Sequence, residues 1–243
     1  MTPEIGIQIL DFDAEAQRPG VPELPFDTVH VWRKVLSGGS TEADTAYGLL
    51  SGQERRIAER YRVEGARQNF ILTRGALRLL LGDYLRSTPE EIVFGVTEFG
   101  KPFIEGNVDV QFNVSHTDGL ALLGFTRKRQ IGVDVEKIRF QDDPLGLAER
   151  YFSSHETENL KKLSGDELET AFFRCWSRKE AYIKARGEGL SLPLDRFDVS
   201  VESRQGQVLL ATRPDASEAE RSVVLDLHVG GGYAAAVAVE VSP

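Results

Sequence analysis

Cysteine is nearly absent from this chain. The single one, Cys175, leaves no partner for a disulfide and no thiolate set for zinc. Long apolar runs are also missing: no stretch approaches the roughly 18 residues of a membrane-span candidate. The first residues show no basic-then-apolar pattern, so the expected compartment is the cytoplasm. Positive charge is in short supply. With 29 Lys and Arg against 38 Asp and Glu, the formal charge is −9 and the pI about 5.1, which argues against a general nucleic-acid binder with its basic footprint. The two halves share an order of elements, helices early and strands late, without a convincing sequence repeat. What remains is ordinary for a globular protein: 41% hydrophobic and 28% charged residues. A chain of 243 residues can form one large domain or two small ones, each with a core.

Periodicity and punctuation set the expected elements. Residues 1–27, with Pro19, Pro22 and Pro25, read as an irregular lead-in holding a short strand near Ile5–Leu10. Val29–Val35 alternates as a strand, and Ser37–Asp44, rich in Gly, Ser and Thr, reads as a loop. Ser51 followed by Glu54 is a capping-box signature opening a charged helix to about Tyr61. A longer helix is expected from Ala66 to Leu85, with Arg74 and Arg78 one turn apart. Val108–Val114 and Leu120–Thr126 read as strands around a turn at Ser115–Gly119. Short helices follow at Leu145–Tyr151 and near Ser154, then a long one from Asp166 to Arg186, stopped by Gly187 and Gly189. The remaining strands are expected at Arg196–Val201, Gln207–Ala211, Ser222–His228 and Tyr233–Val241.

Two segments carry chemistry. In IGVDVE (Ile131–Glu136), Ile131, Val133 and Val135 fall on one face of a strand, and Gly132, Asp134 and Glu136 on the other. A lone Asp-x-Glu is most often a solvated acidic edge. Here the apolar back implies a strand inside a sheet, and Gly132 is expected to leave room beside the carboxylates. Their repulsion would be relieved by a hard divalent cation, and Mg²⁺ suits such carboxylates better than zinc, which would want His or Cys. In WSRKEAYIK (Trp176–Lys184), Glu180 and Lys184 sit one turn apart on one edge of an apolar stripe. Lys179 falls near the centre of that stripe, where its charge requires a partner or an escape route. Brought together, the two segments would make a metal-dependent phosphoryl-handling site. The turn NVSHTDG adds Ser115 and His116, which can bind phosphate oxygens at a strand end but form no catalytic dyad by adjacency. GKP (Gly100–Pro102) alone is an ordinary turn.

Together FGKPFI (Phe99–Ile104), FNVSHTDG (Phe112–Gly119), IGVDVE and FFRCWSRKEAYIKARGEGLSLPLDRF (Phe172–Phe197) resemble the 4′-phosphopantetheinyl transferases, specifically the larger surfactin-type single-chain class. The resemblance implies an α+β fold of two similar subdomains related by a pseudo-twofold, each a small antiparallel sheet packed with helices, here 1–128 and 129–243. It implies coenzyme A in the cleft between them, and transfer of its phosphopantetheine arm to a serine of an apo carrier protein. By the same resemblance Asp134, Glu136 and Glu180 are the Mg²⁺ ligands and Lys184 contacts the pyrophosphate. Ser115 and His116 meet the nucleotide phosphates, and Lys101 lies near the nucleotide end. The expected general base is Glu180 or a metal-bound water held by the carboxylates, with Glu180 favoured. One departure stands out. Where some relatives carry lysines for the 3′-phosphate, this chain has Glu54 and Ile57, with Arg55 and Arg56 alongside; the family often has an arginine in the next helix, and by that resemblance Arg74 is a candidate.

Other readings are a non-catalytic protein of the same fold that binds coenzyme A or a carrier, and a Mg²⁺-dependent phosphohydrolase. A carrier partner calls for a local docking surface on this acidic chain, for which Arg127, Lys128 and Arg129 are candidates. A monomer is expected, because one chain supplies both halves of the cleft. No nucleic-acid or membrane partner is expected.

Overall fold

The computed structural model describes residues 5–13, 21–37, 39–106 and 108–241; Pro19 and Gly38, from the expected lead-in and loop, lie outside them. The first half runs β1 (Gly6–Asp11), β2 (Thr28–Val35), α1 (Ser40–Leu49), α2 (Gly52–Ala58), α3 (Glu64–Leu85), β3 (Phe94–Val96), β4 (Pro102–Ile104), β5 (Val110–Thr117) and β6 (Leu120–Arg127). The second runs β7 (Ile131–Lys137), α4 (Pro144–Tyr151), α5 (Ser154–Leu160), α6 (Gly165–Arg186), β8 (Phe197–Val199), β9 (Leu209–Thr212), β10 (Ser222–Asp226) and β11 (Tyr233–Glu240).

Two sheets stack face to face with a long helix on each outer side. The first has the order β1-β2-β6-β5 and the second β10-β11-β7. Alternation along each strand assigns the layers. Leu123 and Phe125 of β6 pack with Ala76, Leu77, Leu80 and Leu81 of α3. Val29, Val31, Leu120 and Leu122 face the other way, onto Ile131, Val133 and Val135 of β7 and Val237 and Val239 of β11. The opposite positions of β11, Ala234, Ala236 and Ala238, receive Ala181 and Ala185 of α6. The fold is α+β, as expected.

The two halves repeat a device that no sequence repeat reveals. Ser51 and Glu54 form a capping box at α2, and Ser153 and Glu156 form one at α5. Each capping glutamate also reaches a cation on the long helix of its own half. Glu54 pairs with Arg78 at 2.7 Å and Arg74 at 2.5 Å, and Glu156 pairs with Lys179 at 2.8 Å. Arg78 and Lys179 are each the fifteenth residue of a 22-residue helix. Lys179 thereby gains the partner its place in the stripe required, and donates as well to Leu194 O and Phe197 O.

The structure departs from the expected elements at four places. The expected loop Ser37–Asp44 is helical from Ser40, because Ala43 and Ala46 of α1 are buried and Ala46 packs closely on Gly75 of α3. The first sheet is mixed rather than antiparallel, since β1 runs parallel to β2; residues 12–27 give the chain enough length to return and start again in the same direction. β5 continues through Ser115, His116 and Thr117, so the turn is only Asp118–Gly119, with Gly119 at φ 85°. The FGKP segment connects a short hairpin, β3 with β4.

Burial alone would raise the Glu54 carboxyl, but the hydrogen bond from Arg78 and the charge of Arg74 outweigh it and hold it low. A carboxylate depressed in the folded state stabilises above its unfolded pKa and loses that contribution as pH falls. Glu54→Gln is therefore expected to cost about 3–5 kcal/mol at neutral pH, measured by denaturant unfolding. Below pH 4.5 the wild type is expected to lose stability faster than the variant.

Candidate active site

β7 offers its apolar face to the core between the sheets and its polar face to α6. The contact is made by backbone. A Cβ on Gly132 would lie 2.1 Å from Ala181 O and 2.4 Å from Ala185 N. The space expected beside the carboxylates is thus filled by helix, and Gly132 serves close helix–strand approach rather than ligand access. This seating brings Glu180 and Lys184 of α6 to Asp134 and Glu136 of β7.

Asp134 is 3% exposed. Its Oδ1 accepts from Lys184 Nζ at 2.6 Å and from Ser115 Oγ at 2.9 Å, and Lys184 also donates to Ser115 Oγ at 3.1 Å. Its Oδ2 is buried without a partner. Burial and the neighbouring Asp134 charge push the Glu136 carboxyl up to about 7. The same two causes raise Glu180. The three carboxylates therefore form one electrostatic unit, with Lys184 as the counter-ion of its buried member. Among the described residues no group of three His, Cys, Asp or Glu side chains is arranged around a common metal position. The donor set nonetheless suits a hard cation: one orphaned carboxylate oxygen, and two acids destabilised for want of positive charge.

Ser115 enters from the first half, on β5. Asn113, Ser115 and Thr117 point their polar groups at β7 and accept from Val133 N, Val135 N and Lys137 N at 2.9, 3.3 and 3.3 Å. Side chains thus replace a backbone ladder where the halves meet. The sequence carries the signal for Asn113 and Thr117 as polar residues at period two in NVSHT, but a turn expected from Ser115 cuts that alternation short.

A cleft of about 340 Å³ opens at this joint, lined by Phe70, Thr73, Arg74, Leu77, Val114, Ser115, His116 and Lys184. Arg74, Ser115, His116 and Lys184 thus line one cleft. Arg74 is not a free cation: its Nε donates to Glu54, and its guanidinium stacks 4.1 Å from the Phe94 ring centroid. Lys101 is not part of this lining, and Trp176 belongs to an aromatic cluster with Tyr151, Phe152 and Phe172.

The chain aligns with the 4′-phosphopantetheinyl transferase HetI of a Nostoc species at 35% identity over 188 residues, covering 75% of this chain and 79% of HetI. The chain belongs to the 4′-phosphopantetheinyl transferase superfamily. The model of that superfamily matches residues 130–238, the half that carries β7 and α6. A 4′-phosphopantetheinyl transferase of Bacillus subtilis is 35% identical over 192 residues, covering 75% of this chain and 79% of the relative. Sfp of Bacillus subtilis strain 168 is 38% identical over 150 residues, covering 58% of this chain and 65% of Sfp.

Within this transferase the three basic residues considered for docking have structural work. Arg129 donates to Phe26 O, Glu240 O and Val241 O. Arg127 stacks on Phe26, and Lys128 pairs with Asp109 at 3.7 Å. Gly132 gives the sharpest test of the site's frame. Gly132→Ala is expected to lift α6 from β7 and cost about 3 kcal/mol or more, with activity falling further than stability alone explains; unfolding curves and initial rates on the folded fraction check this.

Proposed function

We propose that this chain transfers the 4′-phosphopantetheine arm of coenzyme A to a serine hydroxyl of an apo carrier protein. Membership of the transferase superfamily supports the reaction. The observation that carries the site assignment is the Ser115–Asp134–Lys184 cluster, joining both halves at the cleft beside an orphaned carboxylate oxygen.

Asp134, Glu136 and Glu180 would hold Mg²⁺, which supplies positive charge against the pyrophosphate oxygens. The chain's own groups account for the rest. Arg74, Ser115, His116 and Lys184 line the cleft, and we assign them to the phosphates of coenzyme A. The carrier serine oxygen attacks the β-phosphorus, the P–O bond to the nucleotide phosphate breaks, and adenosine 3′,5′-bisphosphate departs. The Lys184 ammonium answers the charge that grows on the bridging oxygen, so catalysis is mainly positioning and electrostatics. We assign the serine proton to Glu180, the carboxylate that α6 carries one turn before Lys184. The cytoplasm is the setting we assign, and a monomer the working form, since one chain lines both sides of the cleft. We divide the subdomains at 128/129, between β6 and β7. The identity of the carrier and the pathway it serves is open to a panel of apo carriers scored by mass.

Asp134→Asn keeps the shape of the side chain and removes its charge. It is expected to reduce transfer by about a thousandfold, read as loss of the phosphopantetheine mass gain on a carrier. It should also abolish the rise in melting temperature expected when Mg²⁺ is added to the wild type. Retained transfer would refute the metal assignment. Glu180→Gln is expected to lower kcat by about 10²–10⁴-fold with little change in coenzyme A affinity by calorimetry. An equal loss in both measurements would leave Glu180 as a ligand only.

A further inference from the structure

Lys101 stands apart from the cleft that Arg74, Ser115, His116 and Lys184 line, and its ammonium is fully engaged. Nζ donates to Gln130 Oε1 at 3.0 Å, Ile131 O at 3.1 Å and Ala185 O at 3.1 Å. A lysine has three N–H donors, so three acceptors satisfy it. Each acceptor has a meaning in the fold. Ala185 O is one of the last four carbonyls of α6, which lack an intrahelical partner and carry the negative end of the helix dipole. Ile131 O opens β7, and Gln130 sits in the link between the halves. The lysine stem passes Gly187, the left-handed cap of α6 at φ 71°, where a Cβ would stand 3.2 Å from Lys101 Cδ.

The other end of this tie is equally fixed. Lys101 N donates to Thr97 Oγ1 at 3.0 Å, and Thr97 N donates to Lys101 O at 2.9 Å. The turn at 97–101 is therefore a closed unit of the first half. Lys101 extends from it to the two elements of the second half that carry Asp134, Glu136, Glu180 and Lys184.

We propose that Lys101 is a positioning residue, pinning the end of α6 and the start of β7 to the 97–101 turn, and not a ligand of the nucleotide phosphates. It fixes where Glu180 and Lys184 stand relative to the first-half wall of the cleft. The activity part of this inference rests on the transferase reading; the structural part does not.

Two variants separate a clamp from a phosphate ligand. Lys101→Met keeps the stem against Gly187 and removes the ammonium. Lys101→Arg keeps the charge, but a planar fork does not reproduce three acceptors around a point charge. In both, amide exchange measured without substrate is expected to quicken at 183–187 and 97–101. In both, kcat/KM is expected to fall by about a hundredfold, the scale of a displaced catalytic group, and to fall alike for coenzyme A and 3′-dephospho-coenzyme A. Unchanged exchange in both variants overturns the clamp, whatever reaction the protein performs. A loss confined to coenzyme A with the dephospho form spared, or full rescue by arginine, also overturns it and makes Lys101 a phosphate ligand.

Discussion

The joint between the halves depends on three side chains filling the place of a backbone. β7 pairs by backbone with β11 on one edge. On its other edge the amides of Val133, Val135 and Lys137 find Asn113 Oδ1, Ser115 Oγ and Thr117 Oγ1. Unpaired buried amides are costly, so the polar residues of β5 are required by the strand opposite. The cleft opens beside this joint, between α3, the end of β5 and Lys184 of α6. Ser115, the middle rung, lines it and is also bonded to Asp134 and Lys184. The group that joins the halves and the group that organises the charges are the same hydroxyl.

Charge is handled in each half by a similar logic. Glu54 and Glu156 both cap a short helix and neutralise a cation on a long one. Buried pairs of this kind add little net stability over apolar packing, but losing one partner is expensive. They fix which turn of each long helix faces its sheet. The Asp134–Lys184 contact differs because Oδ2 is left without a partner. A satisfied pair is structural hardware, and an unsatisfied one beside two raised carboxyls is a place prepared for another charge.

Much of this was legible in the sequence, and the failures share a cause. β7 and α6 announced themselves through period and caps, and the constraint on Lys179 was visible from its place in an apolar stripe. The helix at Ser40 was not, since Gly39 and its Ser and Thr neighbours resemble a loop and only the contact of Ala46 with Gly75 makes the segment helical. The hairpin β3–β4 is too short for alternation to register. Asn113 and Thr117 were hidden because their partners lie in another strand, and Lys101 because its acceptors lie 29, 30 and 84 residues away. Local pattern identifies elements; it does not reveal which distant group a polar side chain will meet.

Gly132 has a consequence for how uniform this site can be. Helix α6 rests on β7 with no side chain between them at that point, so the spacing of the two elements is set by contact distances between backbone atoms. Side chains differ in length, rotamer and thermal freedom; backbone radii do not. The separation of the acidic strand from the helix bearing Glu180 and Lys184 is therefore a gauge block, set where backbone meets backbone at Gly132 and kept close by the small residues Ala181 and Ala185 of α6 against Ala234, Ala236 and Ala238 of β11.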